Sequence, residues 1–219
     1  MKYVLFDLDG TLTDPGLGIT NSVMHALDRF GIEKPPREEL YCFIGPPLTD
    51  SFNKKFGIPV ERAPEALGYF REYFADKGIL ENDIYPGIPE LLEALHEKGD
   101  KVILATAKPL RFAERILDYF GIAKWFDYVA GNDMAETYMK KSDLLNDIFA
   151  ALGLGPGDLA DCLMVGDRNH DIEGAHEAGI KAVGVLYGYG SREELEGAGA
   201  DFVAETVEEL GRILGIRNK

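Results

Sequence analysis

The sequence predicts an α/β fold, a doubly wound parallel sheet with an α-helical domain inserted after its first strand. Tyr3 to Phe6 form an apolar run of the kind found in strands covered on both faces. From about residue 85 onward, apolar strand patterns alternate with helical ones, which indicates right-handed crossovers and a parallel sheet. The first strand needs that sheet for pairing. We therefore predict a core domain of residues 1–14 and 84–219 and an inserted helical domain of residues 15–83.

The inserted segment contains apolar residues at helical spacing and no convincing strand pattern. Gly31 is a natural end for its first helix, and the proline and glycine clusters at 35–36 and 45–47 interrupt the chain. About four helices are expected, at 19–30, 37–43, 48–56 and 59–77.

In the remainder of the chain, the two-residue repeat or short apolar run of a strand alternates with the 3.6-residue repeat of a helix. Strands are expected at 101–106, 126–130, 162–166, 182–185 and, as a weak edge strand, 202–203. Helices are expected at 88–98, 110–120, 142–152 and 169–178. Two more helices should begin after Ser191 and Thr206, because each is followed three residues later by glutamate, as in a capping box.

Composition limits the class of protein. A net charge of −15 argues against a nucleic-acid polymer or an anionic membrane as partner, but not against a small phosphorylated metabolite. The first residues lack the pattern of a signal peptide, and no apolar run approaches the length of a membrane span. The two cysteines, Cys42 and Cys162, give neither a disulfide framework nor zinc-ligand spacing, so buried free thiols in a reducing cytoplasm are expected. Monomer and homodimer remain open.

Polar side chains recur where predicted strands end. Two aspartates separated by a single residue follow the first strand. Burying two carboxylates together costs free energy unless a cation, such as a hard divalent metal, is held there. Strand ends of a parallel sheet meet at one edge, which is where ligands bind in open α/β folds. Each signal alone is weak, since a strand-end aspartate is often only a helix cap. The residues expected at that edge are Asp7, Asp9, Thr106, Lys141, Asp167 and Asp171.

These residues resemble the four motifs of the haloacid dehalogenase superfamily of phosphohydrolases. The matching stretches are 7–12, Thr106, Lys141 and 166–171, and the inserted helical segment has the position of that superfamily's C1-type cap. The resemblance covers essentially the whole chain and is closest to the phosphoglycolate phosphatase-like branch. Within that branch, three segments resemble a 5′-nucleotidase-like subgroup, namely 43–48, 105–109 and 184–190.

The resemblance implies a mechanism that uses Mg²⁺. Asp7 would be the nucleophile that forms an aspartyl-phosphate, and Asp9 would protonate the leaving group and then activate water. The metal ligands would be the carboxylates of Asp7 and Asp167 and the backbone carbonyl of Asp9, with Asp171 supporting the metal directly or through a water.

The resemblance also implies the substrate contacts. Thr106 would donate its hydroxyl to a phosphoryl oxygen, and Lys141 would balance the charge on Asp7 and the phosphoryl group. Lys108 is equally well explained as an exposed loop lysine, and a helix break alone could explain Gly45 and Pro46. Substrate contacts are thus expected at Gly10, Gly45, Pro46, Thr106, Ala107, Lys108 and Lys141.

The motif lysine is ambiguous because Lys140 and Lys141 are adjacent and the proline that often follows this lysine is absent. We prefer Lys141, which directly precedes the periodic helix, and expect Lys140 to be a solvated surface residue.

The first functional hypothesis is a phosphomonoesterase for a small ester, with nucleoside 5′-monophosphates and 2-phosphoglycolate as the first candidates. Asp9 argues against a dehalogenase, because a halide leaving group needs no proton. A phosphomutase of the β-phosphoglucomutase type and a non-enzymatic binding protein on the same fold are the alternatives.

Overall fold

The computed structural model describes residues 3–134 and 140–216. The chain forms two compact units, one of Met1–Thr13 with Ile84–Lys219 and the other of Asp14–Asp83. The first unit contains the main sheet and the second is built from helices. That the second unit acts as a cap remains a proposal.

Eight strands are present in the described residues. They are β1 (Tyr3–Phe6), β2 (Thr13–Asp14), β3 (Asp83–Ile84), β4 (Lys101–Pro109), β5 (Tyr128–Asn132), β6 (Cys162–Gly166), β7 (Lys181–Val185) and β8 (Phe202–Ala204). Six form one sheet in the order β5-β4-β1-β6-β7-β8, and β2 and β3 form a separate pair. Every neighbouring pair in the large sheet is parallel. The predicted parallel α/β fold is therefore confirmed.

Ten α-helices occur in the same residues. In the second unit they are α1 (Gly16–Phe30), α2 (Leu48–Phe56) and α3 (Ala63–Phe74). In the first unit they are α4 (Ile88–Lys98), α5 (Leu110–Tyr119), α6 (Lys141–Leu152), α7 (Pro156–Leu159), α8 (Asn169–Glu177), α9 (Arg192–Gly197) and α10 (Val207–Ile213). The hydroxyls of Ser191 and Thr206 accept hydrogen bonds from the backbone N–H of Glu194 and Glu209, as the capping pattern predicted.

Both faces of the large sheet are buried. Leu5, Ile103 and Met164 are paired across β1, β4 and β6 and pack with apolar residues of α6 and α8. Because side chains alternate along a strand, Val4 and Phe6 face the other side, and they too are fully buried. This covering of both faces explains why the strands are continuous apolar runs.

Several elements differ from their predictions. Residues 37–43 and 60–62 form 3₁₀ turns instead of α-helix, and α3 begins at Ala63 because Pro64 is tolerated only in a first helical turn. Strand β5 starts two residues late, since Asp127 uses its carboxylate and its N–H to bond the backbone of Val102 just before the strand. Strands β2 and β3 and helix α7 were not predicted.

Within the part of the chain that the structure describes, no helix combines the length and the apolar character needed to cross a membrane.

The two thiols differ in environment, which corrects the expectation that both are buried. Cys162 is buried at the start of β6, whereas Cys42 is exposed in the 3₁₀ segment Arg37–Phe43. Burial, together with the charge of Asp158, raises the pKa of the Cys162 thiol to about 11. The thiol of Cys162 therefore stays protonated at neutral pH.

We expect iodoacetamide to alkylate Cys42 in the native protein and Cys162 only after unfolding, because the thiolate is the reactive form. Mass spectrometry of native and denatured samples measures this. A Cys42→Ser variant should take up no label while folded. Rapid labelling of that folded variant would show that Cys162 is accessible.

Candidate active site

The carboxyl ends of three neighbouring strands carry the predicted site residues. Asp7 directly follows β1, and Asp167 directly follows β6. Thr106 ends the regularly paired part of β4. The backbone N–H of Asp7 still donates to the carbonyl of Val165, at 2.9 Å, so the nucleophile candidate is fixed one residue beyond its strand. The parallel sheet thus brings these three side chains to one edge.

A tight turn follows Asp7. The N–H groups of Thr11, Leu12 and Thr13 all point at the carbonyl of Leu8, at 3.2, 2.9 and 3.1 Å. Gly10 has φ +80°, and a Cβ there would lie 2.1 Å from Oδ2 of Asp167. Only glycine fits this position. Close packing against Asp167 therefore explains glycine at position 10, and its contact with substrate stays a prediction.

Lys141 is the central cation of the site. Its Nζ lies 2.8 Å from Oδ1 of Asp7 and 2.9 Å from Oδ1 of Asp171, and it donates to the carbonyl of Ala105 at 2.9 Å. The side chain is 1% exposed. Burial by itself would lower the pKa of Lys141, but the charges of Asp171 and Asp7 outweigh it and hold the pKa above its ordinary value. Lys141 is therefore a permanent ammonium.

Lys140 points elsewhere. Its side chain is 63% exposed and its Nζ lies 3.3 Å from Glu177. Lys141, at the start of α6, approaches the cluster because α6 and α8 pack closely: a Cβ at Gly174 would lie 2.6 Å from Cβ of Lys141. Of the two candidate lysines, Lys141 is the one that contacts Asp7.

Three carboxylates form a compact acidic cluster. Asp7, Asp167 and Asp171 each offer an oxygen, all within 4.8 Å of one another, and all three residues are buried. Burial raises the pKa of Asp7, against the opposing charge of Lys141, and burial with the charge of Asp171 raises the pKa of Asp167. Burial also acts on Asp171, but Lys141 outweighs it and lowers the pKa of Asp171.

The cluster fits a hard divalent cation. The three carboxylates and the ammonium of Lys141 leave two formal negative charges among these four groups, in a buried place. Oxygen ligands of this kind suit Mg²⁺. The side chain of Asp9 is not part of this cluster. That the backbone carbonyl of Asp9 would reach a metal stays a prediction.

Asp9 and Lys108 form an ion pair. Nζ of Lys108 lies 2.7 Å from Oδ2 of Asp9, and the lysine side chain is only 6% exposed. The alternative that Lys108 is an exposed loop lysine is therefore wrong. Oδ1 of Asp9 is buried and, among the described residues, has no hydrogen-bond partner. Thr106 is buried, and its Oγ1 accepts the backbone N–H of Lys108 at 3.2 Å, which ties this loop, including Ala107, to the site.

Comparison with known proteins identifies the family. The model of the haloacid dehalogenase-like hydrolases matches residues 4–185. The chain belongs to this family. It is 44% identical to a 5′-nucleotidase of Pseudomonas aeruginosa over 192 residues, covering 88% of this chain and 86% of that protein.

Two further relatives span nearly the whole chain. The tyrosine-protein kinase PtkA of Mycobacterium tuberculosis is 36% identical over 217 residues, covering 98% of this chain and 73% of that protein. The crystal structure of a predicted phosphatase from Clostridium acetobutylicum superposes with a TM-score of 0.93 at 39% identity, covering 97% of each chain.

Two predicted substrate residues of this haloacid dehalogenase-like hydrolase lie in the other unit. Gly45 and Pro46 connect the 3₁₀ segment Arg37–Phe43 to α2, and Gly45 has φ +101°. The cluster described above is formed without them. Their contact with substrate remains a prediction.

One part of the site was not assigned a role from the sequence. Residues 187–190, just after the segment matched by the hydrolase family, contact Asp167: the N–H of Tyr189 donates to Oδ2 of Asp167 at 2.8 Å. The alternation of tyrosine and glycine directly after β7, at the same sheet edge, was the available signal. Arg168, whose Nε lies 2.9 Å from Glu194, contributes its backbone N–H to Oδ2 of Asp171 at 3.2 Å.

Proposed function

We propose that this hydrolase is a Mg²⁺-dependent phosphomonoesterase that acts on a small phosphorylated metabolite through an aspartyl-phosphate. The observation that carries the proposal is the buried carboxylate of Asp7, contacted by the ammonium of Lys141 and grouped with Asp167 and Asp171. Asp9 stands two residues from the nucleophile, where a proton carrier is needed. The 44% identity of the chain to a 5′-nucleotidase and its structural similarity to a predicted phosphatase support this activity.

The proposed metal ligands are the carboxylates of Asp7 and Asp167 and the backbone carbonyl of Asp9, with Asp171 as a further support. A Mg²⁺ there would neutralise negative charge on both Asp7 and the phosphoryl group, whose mutual repulsion opposes attack.

In the first proposed step, a carboxylate oxygen of Asp7 bonds to phosphorus and the bond from phosphorus to the ester oxygen breaks. Asp9 gives its proton to that departing oxygen. In the second step, Asp9 takes a proton from a water, whose oxygen bonds to phosphorus. The bond between Asp7 and phosphorus breaks, and inorganic phosphate and the free carboxylate are restored. Thr106 and Lys141 donate to the phosphoryl oxygens and stabilise their charge.

The ion pair between Asp9 and Lys108 sets a condition on this cycle. A protonated Asp9 cannot form that ion pair, so the pair has to open before Asp9 can act as an acid. We propose that substrate binding opens it, with Lys108 turning towards an anionic or polar group of the substrate. The backbone of Lys108 is held at the site by its N–H bond to Oγ1 of Thr106, so only the side chain has to move.

The substrate we propose first is a nucleoside 5′-monophosphate, in view of the 44% identical relative, with 2-phosphoglycolate second. The helical unit of residues 15–83 would act as the cap that closes over the ester and selects the leaving group, with Gly45 and Pro46 contributing. We further propose that the protein is located in the cytoplasm and is a monomer or a homodimer. Neither a nucleic-acid polymer nor a membrane is proposed as its partner.

Phosphate release from purified protein tests this proposal. We expect turnover of a nucleoside 5′-monophosphate in Mg²⁺, none after EDTA, and a kcat/KM at least about 10-fold above that for p-nitrophenyl phosphate. Equal values for all esters would reject the preferred substrate. Isomerisation of a sugar phosphate without phosphate release would favour the phosphomutase, and binding without turnover the non-enzymatic alternative.

A further inference from the structure

Asp167 is held from two sides. On one side, Oγ1 of Thr11, from the turn after β1, lies 3.4 Å from Oδ1 of Asp167. On the other, the backbone N–H of Tyr189, from the loop after β7, donates to Oδ2 at 2.8 Å. Asp167 is itself fully buried. Two segments far apart in the chain therefore fix the orientation of one carboxylate.

Tyr187 joins these two segments. Its hydroxyl donates to the backbone carbonyl of Thr11 at 3.2 Å. Its ring packs edge-on against Tyr85, with centroids 5.0 Å apart, and the N–H of Tyr85 donates to the carbonyl of Leu12 at 3.1 Å. The tyrosine is thus attached to the turn by its hydroxyl and by its ring.

Glycines allow the loop and the turn to come this close. A Cβ at Gly188 would lie 2.3 Å from the carbonyl oxygen of Gly10, and a Cβ at Gly190 would lie 1.9 Å from the carbonyl oxygen of Asp167. Real Cβ atoms do not approach backbone so closely. The alternation of tyrosine and glycine at 187–190 is therefore explained by contact with the turn and with Asp167.

We propose that Tyr187 is a positioning residue for the divalent metal: by fastening the loop 187–190 to the turn after β1, it holds Asp167 in the orientation that binds the cation. The inference rests on the metal dependence in the proposed function. A carboxylate whose orientation is already fixed loses less conformational freedom when it binds a metal. Groups that orient a metal ligand in this way are worth about 10- to 100-fold in metal affinity.

Tyr187→Phe removes the hydroxyl and keeps the ring. We expect Mn²⁺ binding to the free protein, measured by electron paramagnetic resonance without substrate, to weaken about 10-fold. The Mg²⁺ concentration for half-maximal turnover should rise by a similar factor, whereas kcat at saturating Mg²⁺ should change far less. Tyr119→Phe, at an exposed tyrosine of the same unit, is the matched control and should leave all three quantities unchanged.

Thr11→Val tests the route, because it removes the hydroxyl that contacts Asp167. If Tyr187 acts through Thr11, adding Tyr187→Phe to Thr11→Val should weaken Mn²⁺ binding less than the sum of the two single effects. Full additivity would mean that Tyr187 acts through the N–H of Tyr189 and not through Thr11. Wild-type Mn²⁺ affinity in Tyr187→Phe would overturn the inference.

The inference and the proposed function can fail separately. A wild-type protein that binds Mn²⁺ but releases no phosphate from any ester would contradict the proposed activity and leave the positioning role intact. Phosphate release by the wild type, together with unchanged metal affinity in Tyr187→Phe, would contradict the positioning role and leave the proposed activity intact. Absence of Mn²⁺ binding by the wild type would contradict both the positioning role and the metal dependence.

Discussion

Asp7→Asn is expected to reduce phosphate release by about 10⁴-fold or more, because removal of a nucleophile abolishes the covalent route and leaves only the residual effect of binding. The substitution changes an oxygen for a nitrogen and preserves shape, so substrate affinity should survive. Burial raises the pKa of Asp7, which means that the charged form is unfavourable in the metal-free protein. The melting temperature of the metal-free variant should therefore not fall.

Rapid acid quenching followed by peptide mass spectrometry provides the direct measurement. The wild type should yield a phosphorylated peptide that contains Asp7, and Asp7→Asn should yield none. Asp118→Asn, an exposed position on α5, is the control and should behave like the wild type. Substantial turnover by Asp7→Asn, in a preparation verified to retain asparagine, would exclude this residue as the nucleophile.

Lys141→Met is expected to lower both activity and stability. Loss of the ammonium leaves Asp7 and Asp171 buried without their shared cation and the carbonyl of Ala105 without its donor. Breaking a buried ion pair in this way costs about 3–5 kcal/mol in the free energy of unfolding. Loss of one donor to the transferring phosphoryl group should reduce kcat by about 10²- to 10³-fold.

The matched control is Lys140→Met, one residue earlier. Its pair with Glu177 is exposed to solvent and contributes little to stability, so urea unfolding and turnover should both stay close to wild type. Saturating Mg²⁺ should restore part of the stability lost in Lys141→Met, since a cation among the carboxylates replaces part of the missing charge. Equal effects of the two substitutions would contradict the assignment of Lys141 as the site lysine.

The strand ends were predictable because period-two and period-3.6 patterns are local properties of the chain. Once the sheet is known to be parallel, Asp7, Thr106 and Asp167 must meet at one edge whatever their separation. The preference for Lys141 over Lys140 was also local, as Lys141 directly precedes the periodic helix. Element boundaries were less predictable: β5 starts late because Asp127 bonds to Val102, a residue of another strand.

The sequence by itself determined the parallel α/β fold, its helical insertion and the set of acidic, hydroxyl and ammonium groups at one sheet edge. The tertiary structure decided how those groups pair. Lys108 is buried against Asp9, Lys141 is shared by Asp7 and Asp171, and the loop 187–190 holds Asp167. These contacts join residues as far apart as 134 positions, as between Asp7 and Lys141. Local patterns cannot encode such pairings, because packing of the whole sheet fixes the distances between its strand ends.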